Sequence, residues 1–215
     1  MNTGTHFNNL MLGPLSAAAD GRSLNRRDAL GALGLVWAMV LTRAGQSGSH
    51  PFPDASIAVF FLLGLFNRSA LWLPVALGLA AAVDAWVVTG DISAYCTTPA
   101  SLFLIPTYAT VWLAGRFARK RRPTAVLTTA GLAAGVAFLM SSGSFYFLSG
   151  QFPDLPLAEY SRQVLIRYLP PYVAHCLLYV AAAVVVSQAA KWLRPAAVTR
   201  RREPAAHALR AARRR

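Results

Sequence analysis

Read only for apolar and polar positions, the chain falls into six apolar runs separated by short polar segments. The first lies within SLNRRDALGALGLVWAMVLTR, residues 23–43, and five more follow at about 53–66, 70–89, 98–115, 124–148 and 167–190. Several approach the ~20 apolar residues that a helix needs to cross a hydrocarbon core. The pattern predicts an all-α integral membrane protein: a six-transmembrane-helix bundle with N- and C-termini in the cytoplasm. The second run is short, which leaves it room to be tilted, distorted or re-entrant. No internal repeat stands out, so residues 25–192 read as one membrane domain. Residues 1–24 are polar and Gly/Ser/Asn-rich and read as a disordered cytoplasmic leader, and 193–215 as a basic cytoplasmic tail.

Composition agrees with that reading. The chain is 55% hydrophobic and 13% charged, against about 25% charged in ordinary soluble domains. A net charge of +13 would suit a nucleic-acid binder, yet the basic residues lie between and after the apolar runs. That placement is a topology signal, and no nucleic-acid partner is predicted. With six crossings, eighteen of the 21 Lys and Arg fall on the cytoplasmic side, and only Arg43, Arg162 and Arg167 fall outside. Removing the second crossing with the N-terminus inside reverses the bias to five against sixteen and is rejected. Five crossings with the N-terminus outside satisfy the bias but strand Arg26 and Arg27 on the wrong face. Both surviving arrangements put Cys96 outside. The Arg26-Arg27 pair also resembles a twin-arginine export signal, but no A-x-A-like cleavage site follows, which favours a first membrane helix. The RRR runs at 200–202 and 213–215 suit anionic membrane lipid.

With each run oriented, the uncommon polar residues gather in the outer half. Asp84 lies five residues from the outer end of its run, about 8 Å deep at 1.5 Å per residue, and an intramembrane carboxylate marks a site by default. It reads either as a ligand-site group or as a partner for Arg167 or His175. Ser141, Ser142 and Ser144 occupy the outer half of the fifth run, while His50 and Asp54 flank the start of the second. Their convergence predicts a cavity open to the outside. His175 and Cys176 read as packing residues, and Phe145, Tyr146, Phe147 and Trp86 as an interfacial aromatic belt. Gly34 and Ala38, four apart, would let the first helix approach a neighbour closely, a partner subunit or, as favoured, another helix of the bundle. Cys96 stands in a turn at the start of a helix, where the dipole favours a thiolate. A thiolate is a soft ligand suited to a transition metal. Two cysteines make no disulfide framework, and no Cys/His spacing suggests zinc. A metal carried inside a larger ligand is therefore expected, and no metal ion held by the protein itself.

The stretches HPFPDASIAVFFLLG, the Asp84 helix, YCTTPASLFLIPTYATVWLAGR and RYLPPY resemble the BtuM family, small bacterial inner-membrane proteins related to the substrate-binding S-components of energy-coupling factor (ECF) transporters. The resemblance spans about residues 28–192, and its most specific part is the C-x-T-P-A run from Cys96. It implies cobalamin (vitamin B12) uptake across the inner membrane by a six-helix bundle with an outward-facing cavity, alone or with an ECF-type energising module. It further implies that the Cys96 thiolate ligates the corrinoid cobalt and supports decyanation of cyanocobalamin. Asp84 matches a carboxylate near that cysteine, Arg167 the arginine before the last helix, and His50 a histidine before the second. Ser101 stands where the family tends to have Tyr, which removes an aromatic wall or hydroxyl from the substrate site.

Other classes fit parts of the pattern. An S-component-like subunit for another vitamin or for cobalt would share the fold, and no G-x-x-x-x-G-K-[ST] loop is present to hydrolyse ATP within the chain. A membrane enzyme using Cys96 on a lipid-linked substrate lacks a histidine close to it in sequence. A packing or assembly protein would bind nothing.

Overall fold

The computed structural model describes residues 26–44, 53–67, 69–88 and 99–212. Among them are six α-helices and no strand: α1 (Arg26–Ala44), α2 (Ser56–Phe66), α3 (Trp72–Val88), α4 (Leu104–Ala118), α5 (Pro123–Leu148) and α6 (Leu157–Ala212). A 3-10 turn, Pro99–Phe103, leads into α4. The leader 1–24, with His50 and Cys96, lies outside the described residues.

α2 is the axis of the bundle. Every residue from Ser56 to Gly64 is buried, and Phe60, Phe61 and Leu63 are wholly enclosed. Its eleven residues reach only about 16 Å at 1.5 Å per residue. Its flanks nonetheless meet both ends of α1. Arg43 near the end of α1 reaches Ser56, and the Asn67 amide donates to the Asp28 carbonyl at the start of α1, 3.3 Å away. The short second run therefore lies antiparallel along the length of α1 and does not turn back. Protein surrounds this short segment along most of its length.

α2 packs most extensively on α4, and the contact is between backbones. A Cβ at Gly64 would run into the Trp112 carbonyl, and one at Gly115 into the Phe61 carbonyl. Two glycines thus bring the α2 and α4 backbones close together, the packing expected where dispersion rather than water expulsion holds helices together. Phe60 stacks on Tyr108 at 4.2 Å, so the two helices run parallel. At their other end the Arg119 Nε donates to the Gly64 carbonyl at 2.8 Å.

Gly34 and Ala38 do not serve a close approach within the bundle. Both face outward, on the side of α1 that also exposes Leu30, Trp37 and Leu41, and a Cβ at Gly34 would meet nothing. The core face of α1 is instead Ala32, Val36 and Met39.

α5 and the Leu157–Ala190 part of α6 are long and apolar enough to cross a membrane. Leu132, Leu139, Leu178, Val185 and Val186 are among the large apolar side chains they expose. A water-soluble domain rarely leaves so much contiguous apolar surface bare. α6 starts at Leu157, ten residues before the predicted run, and continues through Pro170 and Pro171. The extra turns carry Tyr160 inward, which the run of apolar residues alone does not signal. Between α5 and α6 the chain reverses at Gly150, whose φ of 70° suits a residue without a Cβ.

Candidate functional site

Alternation of helix direction brings the end of α1, the start of α2, the end of α3, the 3-10 turn, the end of α5 and the start of α6 to one pole of the bundle. A cluster of polar side chains meets there. At the centre is Arg43, whose side chain is 14% exposed. Its Nε and Nη2 donate to the two carboxylate oxygens of Asp84 at 2.5 and 2.7 Å, a bidentate fork. Nη1 donates to the Ser56 hydroxyl at 2.8 Å and to the Tyr108 hydroxyl at 3.1 Å. Asp54 approaches the same nitrogen at 3.7 Å. One guanidinium therefore ties α1 to α2, α3 and α4.

Local structure prepares each partner. Asp54 Oδ1 accepts from the Ser56 backbone N–H at 2.9 Å and from its hydroxyl at 2.6 Å, satisfying one of the free donors at the start of α2. The Tyr108 ring is fixed by its stack on Phe60, which aims the hydroxyl at Arg43. Thr42 turns its hydroxyl back onto the Ala38 and Met39 carbonyls and accepts from the Ala55 N–H, closing the α1–α2 junction.

Beside this cluster lies a cavity of about 370 Å³ lined by Arg43, Asp84, Ser101, Ser141, Ser142 and Ser144, with Phe145 and Tyr160 on the far wall. Its wall combines hydroxyl-bearing residues and one ion pair with apolar Ala100, Leu104 and Phe145. The Tyr160 hydroxyl donates to the Ser142 carbonyl at 3.0 Å, and the Ser144 hydroxyl to the Ser141 carbonyl at 2.8 Å. Tyr146, Phe152 and Tyr160 form an aromatic cluster over this end, closed by the Tyr146 hydroxyl on the Leu155 carbonyl at 2.7 Å. Of the four residues predicted as a belt, Phe147 and Trp86 are exposed, whereas Phe145 and Tyr146 are drawn into this cluster.

The structure thus brings Asp84, Ser101 and the three serines together. The partner of Asp84 is neither Arg167 nor His175 but Arg43. Arg167 is exposed, with its guanidinium 5.7 Å from the centre of the Tyr168 ring, and does not line the cavity. His175 is half-buried and Cys176 is packed in the core. Cys96 and His50 lie outside the described residues, though the segment carrying Cys96 joins α3 to the 3-10 turn, two walls of the cavity. Arg43, Tyr108 and Tyr160 are the site residues that the sequence did not single out. Arg43 had a signal: it is one of the three basic residues that the charge tally left apart from the other eighteen. Among the described residues no group of three His, Cys, Asp or Glu side chains is placed to hold a metal ion.

No protein-family model matches the chain, and no curated protein matches it.

Proposed function

We propose that the chain is a six-span protein of the bacterial inner membrane that binds cobalamin in an outward-facing cavity and passes it inward. The observation that carries the reading is the C-x-T-P-A run from Cys96, set between two helices whose ends wall a hydroxyl-lined cavity. A soft sulfur donor beside many hydroxyls suits a cobalt-centred macrocycle fringed with amides. In this reading Cys96 ligates the cobalt and Ser141 and Ser142 meet the amide fringe. Asp84, held by Arg43, keeps a fixed charge beside the thiol, and Ser101 leaves space where a larger residue would narrow the cavity. Decyanation of cyanocobalamin would accompany binding, and energy for transport would come from an ECF-type module or from the protein alone.

A second reading is favoured by size. At about 370 Å³ the cavity is near the lower end of the ~300–1,000 Å³ usual for small-molecule sites. A smaller vitamin would fit without rearrangement, whereas a corrinoid requires the walls to part.

The test is the visible spectrum of protein purified with cobalamin. Wild type should copurify coloured, and Cys96→Ala and Cys96→Ser should shift the corrinoid bands. Identical spectra in wild type and variants exclude the sulfur–cobalt bond, and a colourless wild type leaves the smaller ligand.

A further inference from the structure

A second cavity, of about 530 Å³, shares Asp84, Ser101 and Leu104 with the first but differs from it in chemistry. It is a groove between α3 and the start of α4, walled on one side by Pro74, Gly78, Ala81 and Ala85. These positions repeat at helical spacing along one stripe of α3, all four exposed. Elsewhere the exposed faces of the bundle project Leu, Val, Phe and Trp. On this stripe of α3 they carry proline, glycine and alanine, with Leu102 and Ile105 on the facing side, and α3 and α4 barely touch, so the surface is concave and its apolar floor is left unfilled.

The geometry points to a bound phospholipid, with one acyl chain in this groove and an amine-bearing headgroup at the Asp84 end. The inference rests on the bundle being embedded in a bilayer. From Pro74 to Ala85 the groove runs about 16 Å at 1.5 Å per residue, close to half of the ~30 Å hydrocarbon core, the depth of one leaflet. It opens sideways, where an embedded bundle meets lipid tails. At its polar end one guanidinium faces two carboxylates, Asp54 and Asp84, leaving a net negative charge that favours an ammonium group. The Ser141 and Ser142 hydroxyls on the wall of the adjoining cavity supply donors for a phosphate. A phosphoethanolamine headgroup carries both charges, whereas a purely anionic headgroup would meet the surplus carboxylate.

The test is the lipid retained by the full chain after extraction from membranes into mild detergent, read by native mass spectrometry and headgroup analysis. Wild type should hold a phospholipid enriched in ethanolamine relative to the membrane. Gly78→Leu and, at the rim, Ala85→Leu should each reduce it about tenfold by filling the groove. Leu132→Ala, on an exposed face of α5 away from the groove, should keep it. Equal retention in wild type and both groove variants overturns the inference, as does retained lipid with no headgroup preference. Recovery of the protein in the soluble fraction would instead overturn the membrane reading on which it rests. Folding of the variants is checked by their melting temperatures against wild type, with Ala85→Leu, at the groove rim, as the milder of the two.

Discussion

Arg43 spends all three of its nitrogens on side chains from three other helices, so its removal should be felt across the whole pole of the bundle. Hydrogen bonds to a charged group are worth about 1.5–3 kcal/mol each. Arg43→Ala and Asp84→Ala should therefore both lower the melting temperature in detergent, and a double-mutant cycle should return a coupling of about 1.5–3 kcal/mol. A coupling near zero would show that the pair is incidental. Arg43→Lys should not restore stability, because a single ammonium cannot occupy both carboxylate oxygens as the fork does. Asp84 was legible in the sequence as an ionisable group inside an apolar run, since such a group is costly wherever it lands. Its partner was not. Arg43 lies 41 residues away, and choosing among Arg43, Arg167 and His175 depends on how far each helix is rotated about its own axis.

At the scale of helices, glycine content and glycine function separate. Gly34 and Ala38 have the spacing of a close-packing pair, yet they face outward. Gly64 and Gly115 follow Phe60 and Val111 by four residues and match no small-residue pair, yet they hold α2 against α4. Gly64→Ala or Gly115→Ala should force the helices apart and cost about 1–3 kcal/mol, as overpacking does. Gly34→Ala, with open space around it, should be neutral or should stabilise by up to about 1 kcal/mol through helix propensity. Unfolding in detergent would compare the three, and an equal effect at all of them would contradict the assigned packing. Helix positions were readable because apolar runs are long and local. The start of α6 was not, because Glu159 and Ser161–Gln163 interrupt the apolar residues there, and the helix begins early by placing Tyr160 against α5.

For the whole molecule, the question left by the charge pattern was whether the short second run crosses. α2 lies antiparallel to α1 and parallel to α4, which is the geometry an odd-and-even alternation of crossings requires. Single reporter cysteines introduced in a Cys96→Ala background test the proposed orientation. Ser149→Cys, in the α5–α6 connection, should react with an impermeant maleimide on intact cells, and Arg121→Cys, in the α4–α5 connection, should react only after permeabilisation. The opposite pattern would turn the polar cavity toward the cytoplasm and end the uptake proposal. By itself the sequence determined that the chain is helical, where its apolar segments lie, and that Asp84 and the serines late in α5 fall toward one end. Those properties follow from the period and length of apolar runs and from the cost of burying charge, and both act locally along the chain. Only the tertiary structure decided which charge neutralises Asp84, which glycines touch a neighbouring backbone and where small residues leave a groove. Each of these depends on the rotation and depth of one helix against another, and six runs of similar hydrophobicity do not encode that in any one of them.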